Sequence, residues 1–256
     1  MNRIDQLFQS KRNVLSIYVT AGFPEVNDTM RIVTHLASAG VDLIEIGMPF
    51  SDPLADGETI QHSSRIALEN GITVARILDQ VKIIRQTISI PIVLMGYYNQ
   101  VLRYGDERFF RDAKDAGADG VILPDLPVAV FQEKYMALLH DLDLKMPFLI
   151  TPQTTTERIR LIDSVSTGFL YVVAQYSTTG GDNWEINKQT AYFEQVRDMH
   201  LKNPTMVGFG ISSKDKFLAA CSYANGGIIG SAFIRAIENS SNLEQTINQF
   251  IQKFKQ

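Results

Sequence analysis

"AGVDLIEIG" (39–47) and "AGADGVILPD" (116–125) share one design: a helical segment ends at a glycine, and a β-branched run starts two residues later. Glycine at a helix end takes the left-handed conformation that closes the last turn, so both stretches read as a helix delivering the chain into a strand. The same alternation extends along the whole sequence. Strand-like runs occur at 14–20, 42–47, 91–97, 119–125, 147–151, 169–174, 205–210 and 226–231. The intervening segments carry apolar residues at helical intervals, as in Ile32, His35, Leu36 and Ala39, or Ile77, Val81 and Ile84. Alternating βα units imply a parallel sheet, and eight of them without a compositional break favour closure over an open doubly wound sheet. The fold class expected is therefore α/β, a (β/α)8 TIM barrel occupying 1–256 as a single domain. Two additions are expected: an N-terminal helix, with Ile4, Leu7 and Phe8 plugging the barrel floor, and a further helix between strands two and three, where 59–70 and 73–86 both read as helical.

Composition bounds the function. The 256 residues are 45% hydrophobic and 20% charged with a net charge of −4, which leaves no basic excess for a nucleic-acid backbone. One cysteine, Cys221, closes no internal disulfide and fits a reducing compartment, and no run approaches the roughly 18 apolar residues of a membrane span. The expectation is a cytoplasmic protein with neither a nucleic-acid nor a membrane partner. The four histidines show no paired spacing with cysteine or carboxylate, so no metal site is expected. No G-x-S-x-G elbow is present either. The aromatic doublets Tyr97-Tyr98 and Phe109-Phe110 read as packing.

Strand parity singles out Glu45. In 42–47, Ile44 and Ile46 face one way while Leu43, Glu45 and Gly47 face the other. The β-branched pair suits the outer helix layer, which sends Glu45 into the barrel near the C-terminal strand end where such enzymes place their chemistry. An interior carboxyl is costly unless paired or protonated, which makes it an acid/base candidate as well as a candidate structural glutamate. The next residues, "MPFSDPLADG" (48–57), are broken by Pro49 and Pro53 and form a loop over the mouth. That loop brings Asp52 and Asp56 close to Glu45, and two carboxyls at one mouth are the minimum for paired proton transfers.

At the other end of the chain, "GFGIS" (208–212) and "GGIIGSAF" (226–233) make the last two βα turns glycine-rich. Those turns form phosphate sites in many barrels, and neither carries a dinucleotide fingerprint, so a small phosphate ester is the expected ligand. "STTGGDN" (177–183) is a candidate lid.

With these pieces in place, the chain resembles the α subunit of tryptophan synthase along essentially its whole length. "IEIGMPFSDPLADG", "ILPDLP" (122–127), "GFGIS" and "IIGSA" (228–232) stand in that family's order and spacing. The resemblance implies retro-aldol cleavage of indole-3-glycerol phosphate to indole and glyceraldehyde 3-phosphate, with no cofactor in this subunit. It implies Glu45 as principal acid/base and Asp56 as the carboxylate for the indole N–H. By the same resemblance Tyr18, Met95 and Leu149 surround the indole, Tyr171 lies beside the glycerol chain, and Thr179 is the lid threonine. Gly180, Gly210, Gly230 and Ser231 fall on phosphate-binding positions. Asp52, Pro53 and Asn99 fall where the family meets a pyridoxal-phosphate β subunit, in an α2β2 assembly. Ala174, Gln175, Ser177 and Thr178 depart from the family's usual lid, and Glu58 replaces a frequent proline. Two other readings stay open: a different reaction on a phosphate ester, such as isomerisation or prenyl transfer, and an activating subunit without turnover.

Overall fold

The computed structural model describes residues 1–174, 186–208 and 210–255. Its strands are β1 (Val14–Thr20), β2 (Leu43–Gly47), β3 (Ile92–Met95), β4 (Gly120–Ile122), β5 (Phe148–Ile150), β6 (Leu170–Val173), β7 (Thr205–Gly208) and β8 (Gly226–Ile229). All neighbouring pairs are parallel, in the order β4-β3-β2-β1-β8-β7-β6-β5. The seam between β4 and β5 is narrower: one parallel bridge joins Gly120 to Lys145, flanked by Lys145 N–H donating to Asp119 O at 2.9 Å and Val121 N–H donating to Lys145 O at 2.8 Å. The expected barrel is present.

Because helices cover the outside, each strand is apolar on both faces, and only parity separates inner from outer residues. Val14, Leu43, Val93, Ile122, Phe169, Tyr171, Met206 and Ile228 form the inner cluster. Ile17, Val19, Ile44, Ile46, Ile92, Leu94 and Val121 pack in the outer one, against the helices. The helix Arg3–Ser10 closes the floor as expected. Asn2 caps it by accepting from Ile4 N–H at 2.9 Å, Ile4 is fully buried in the inner cluster, and Phe8 packs on Phe169 with ring centroids 5.9 Å apart.

Helices Glu58–Glu69 and Val74–Ile84 fill the β2–β3 connection, as the sequence indicates. Two further doublings have no counterpart in the strand-and-helix count. After β3 the chain forms Tyr98–Tyr104 and Asp106–Ala116, separated by Gly105 at φ 97°, and after β8 it forms Ser231–Ile237 and Leu243–Lys255. Gly40 (φ 84°) and Gly117 (φ 95°) adopt the left-handed conformation required by the two joins that opened the reading.

Those joins do more than stop helices. Asp42 Oδ2 accepts the N–H of Leu15 at 2.9 Å, and Asp119 Oδ2 accepts that of Ile92 at 2.9 Å. Ser166 Oγ accepts from Phe148 N–H at 3.0 Å and Asn225 Oδ1 from Thr205 N–H at 3.0 Å. In each case a side chain just before an even-numbered strand binds the floor end of the preceding odd-numbered one. Asp119 also accepts from Arg3 and Arg85 at 2.9 Å each. Asp119→Asn would leave the largely buried Arg85 without its counter-charge, so a loss of about 2–4 kcal/mol is expected. Chemical denaturation checks it, and an unchanged midpoint would count against the clamp.

Among the described residues no helix is long and apolar enough to cross a membrane.

Candidate active site

Glu45 points inward, as parity requires. It pairs with Tyr18 of β1 and Val93 of β3, is fully buried, and takes one long hydrogen bond, from Ser16 Oγ to Oε1 at 3.4 Å. Among the described residues its Oε2 has no hydrogen-bond partner. Burial pushes the carboxyl up to about 8, against a smaller downward pull from Ser16. At neutral pH it is therefore predominantly a carboxylic acid with a transferable proton.

The loop that follows β2 leaves the barrel wall, crosses the mouth and returns at Gly57, which starts helix Glu58–Glu69. Glu58 occupies the first helical position, where the absent proline costs only a pre-set backbone angle. Gln100 Nε2 donates to Pro49 O at 2.8 Å, anchoring the departing strand of the loop. At the returning end, Tyr97 Oη accepts from Ala55 N–H at 3.0 Å and donates to Asp56 Oδ2 at 3.0 Å. Burial raises the Asp56 carboxyl to about 6, the Tyr97 bond opposing the rise. The two carboxyls thus sit on either side of neutrality, one predominantly protonated and one predominantly ionised.

Two phenols frame the space between them. Tyr18 and Tyr171 are both raised well above the ordinary phenol value, chiefly by burial and further by the charges of Asp56 and Glu45. Each ring leans over a glycine of the next strand: a Cβ on Gly47 would meet Tyr18 Oη at 2.0 Å, and one on Gly208 would meet Tyr171 Oη at 2.2 Å. Each glycine lies two positions beyond the tyrosine's register partner, Glu45 for Tyr18 and Met206 for Tyr171. Met95 and Leu149 are partly buried against the inner cluster and supply apolar wall.

Packing requires several glycines of the terminal turns. Gly208 makes room for Tyr171, a Cβ on Gly226 would meet Val14 O at 2.2 Å, and one on Gly227 would meet Phe217 at 2.9 Å. Gly210 and Gly230 remain as loop residues of the kind an anion site needs. Gly210 is exposed with φ 78°, and Gly230 precedes helix Ser231–Ile237, 3.5 Å from Tyr18 Cβ as measured from an added Cβ.

The fold thus gathers Tyr18, Glu45, Asp56, Met95, Leu149 and Tyr171 at one mouth, with Gly230 and Ser231 on the β8 side. Thr179 and Gly180, with the whole candidate lid 177–183, lie outside the described residues. Asp52 and Asn99 are exposed and Pro53 half-exposed on the outer side of the loop and the adjoining helix start. Tyr97 belongs to this mouth as well, although its place in an aromatic doublet reads as packing alone. It does pack, stacking on Phe50 at 5.1 Å, but its hydroxyl reaches Asp56. Its place just beyond the C-terminal end of β3 was the available signal. Among the described residues no group of three or more His, Cys, Asp or Glu side chains gathers as metal ligands would.

A family model described as tryptophan synthase alpha chain matches residues 4–256. The tryptophan synthase alpha chain of Flavobacterium psychrophilum is 50% identical over 251 residues, covering 98% of each chain. That of Christiangramia forsetii is 50% identical over 255 residues, covering 100% of this chain and 99% of its own. Among solved structures, tryptophan synthase subunit alpha from Legionella pneumophila superposes with a TM-score of 0.89 at 32% identity, covering 100% of this chain and 97% of that one. A chain of tryptophan synthase from M. tuberculosis in its aminoacrylate-bound form gives 0.87 at 29% identity, covering 99% and 98%.

Proposed function

The chain belongs to the tryptophan synthase alpha chain family, and from that premise we propose that Glu45 and Asp56 divide between them the proton chemistry of indole-3-glycerol phosphate cleavage. The observation that carries the reading is the placement of two carboxyls at one barrel mouth, Glu45 fully buried with Oε2 unpartnered among the described residues and Asp56 held by Tyr97, with burial raising both and Glu45 the further.

Indole C3 leaves poorly as a carbanion. Glu45, protonated, delivers its proton to C3, and the positive charge that develops on the ring nitrogen is met by the Asp56 carboxylate at the N–H. Glu45, now ionised, takes the proton from the hydroxyl on the carbon bonded to C3. The O–H electrons form the aldehyde carbonyl, the C–C bond breaks, and its electrons return to the ring. Glu45 ends as it began, and indole and glyceraldehyde 3-phosphate are the products. The step balances with these two carboxyls alone. Gly210, Gly230 and Ser231, with Gly180, hold the phosphate; Tyr18, Met95 and Leu149 enclose the indole, and Tyr171 flanks the glycerol chain.

Family membership implies a β-subunit partner. We assign its contact to Asp52 and Pro53, on the loop whose inner end carries Asp56, and to Asn99, at the start of helix Tyr98–Tyr104. Leu54, 93% exposed at the loop tip, supports this placement. An α2β2 assembly with pyridoxal phosphate in the partner completes the reading.

The test incubates the isolated chain with indole-3-glycerol phosphate and measures indole, with and without a β subunit. Because cleavage needs Asp56 ionised and Glu45 protonated, kcat/KM is expected to fall below about 6 and again above about 8. No indole under either condition, or a kcat/KM that falls neither below about pH 6 nor above about pH 8, would reject the assignment.

A further inference from the structure

Tyr97 ties the two ends of the mouth loop to a single aromatic ring. Phe50, near the start of the loop, stacks on its face at 5.1 Å with planes 28° apart. Ala55 and Asp56, at the end, share its hydroxyl: the Ala55 N–H donates to it at 3.0 Å, and it donates to Asp56 Oδ2 at 3.0 Å. Gln100 holds the platform in place, accepting from Tyr97 N–H at 2.9 Å while donating to Pro49 O at 2.8 Å. The close approach requires Gly96, where a Cβ would meet Met48 Cε at 2.5 Å and Gln100 Oε1 at 2.8 Å.

A phenol hydroxyl has one proton. With that proton given to Oδ2 and a lone pair used by Ala55, the hydroxyl fixes both which loop residue turns inward and which carboxylate oxygen is occupied. Among the described residues Asp56 Oδ1 has no hydrogen-bond partner, which leaves it to accept from a ligand. We propose that Tyr97 is the positioning residue of this site, orienting Asp56 through Oδ2 so that Oδ1 is presented to the ring N–H of the substrate. The inference rests on the catalytic role proposed above for Asp56.

The surrounding groups give the bond a second effect. Tyr18 from β1, Glu45 from β2 and Tyr171 from β6 share the mouth with Asp56, and the two phenols both respond to its charge. Burial disfavours the Asp56 carboxylate, and the proton from Tyr97 opposes it. On the other side, Tyr97 also senses the charge of Asp125, which caps the Tyr98 N–H at 2.8 Å. The phenol therefore keeps Asp56 ionised further into the acidic range than burial alone permits.

Tyr97→Phe tests this, because the ring and its stacking on Phe50 remain while both hydroxyl bonds go. A hydrogen bond to a charged acceptor corresponds to a fall in kcat on the order of 10- to 100-fold, with KM within about twofold because the phosphate is held from β7 and β8. The acidic limb of the pH profile is expected to move to higher pH by about one unit. Asp56 is titrated in parallel by carboxyl 13C NMR in the unliganded protein, a readout independent of turnover, and its midpoint should rise in the variant. Wild-type kcat together with an unmoved limb and midpoint would overturn the positioning role. Asp56→Asn, assayed alongside, keeps the two failures apart. If it is inactive while Tyr97→Phe behaves as wild type, only the positioning inference falls; if it turns over normally, the role assigned to Asp56 falls first.

Discussion

Glu45→Gln is expected to release no detectable indole and to be more stable than the parent protein at pH 8. The amide keeps the shape of the side chain but has no proton to give to C3 and no carboxylate to take one from the glycerol hydroxyl, so both halves of the reaction lose their agent. Stability moves the other way. The unfolded chain ionises this carboxyl above its ordinary value of 4.5, whereas the folded protein holds the proton to about 8. Folding therefore takes up a proton throughout that window, and native stability falls as pH rises through it. At pH 8 the penalty is on the order of 4 kcal/mol, part of which the glutamine returns because its own amide is buried; a net gain of about 1–3 kcal/mol is expected. Thermal unfolding at pH 5 and pH 8 checks it, the advantage of the variant widening toward pH 8. Wild-type turnover in Glu45→Gln would end the mechanism, and a stability difference that does not grow with pH would mean the carboxyl is not held neutral. On the proposed mechanism the fold carries a destabilising group because the chemistry requires it.

Asp56→Asn is expected to lower kcat about 100- to 1000-fold, the range for removing a group that meets charge developing in a transition state. Substrate should still bind within a few-fold of wild type, since the proposed phosphate site lies on the turns after β7 and β8 and not on this loop. The asparagine can still accept from the indole N–H, but it does not offset the positive charge that protonation of C3 creates. Isothermal titration with a non-cleavable phosphate ester separates the effects. Loss of phosphate binding, rather than of turnover, would show that the loop serves the other end of the substrate.

Much of this architecture was legible before any coordinates. Strand parity alone turned Glu45 inward, because Ile44 and Ile46 had to meet the helices, and Gly40 and Gly117 announced the helix-to-strand joins. What escaped was decided by neighbours distant in the chain. Tyr97 reaches Asp56 across 41 positions, and nothing in an aromatic doublet reveals a hydroxyl partner so remote. In sequence the terminal glycines form one phosphate feature, yet Gly208, Gly226 and Gly227 are also small because Tyr171, Val14 and Phe217 crowd them. A glycine that vacates space looks the same in sequence as one that offers an N–H. The split after β3 depends on Gly105, whose φ of 97° breaks the helix and which a count of apolar spacing passes over.

The floor clamps run in pairs, β1 with β2, β3 with β4, β5 with β6 and β7 with β8, and none crosses from one pair to the next. The thinnest ladder, β4 to β5, falls between pairs as well. Opening the covalent chain in the 123–147 connection would sever no clamp and would divide the molecule into two half-rings, each holding two complete modules. A split or circularly permuted gene cut there keeps each of the four clamps within one half, whereas a cut inside a module separates an acceptor from the strand whose N–H it binds.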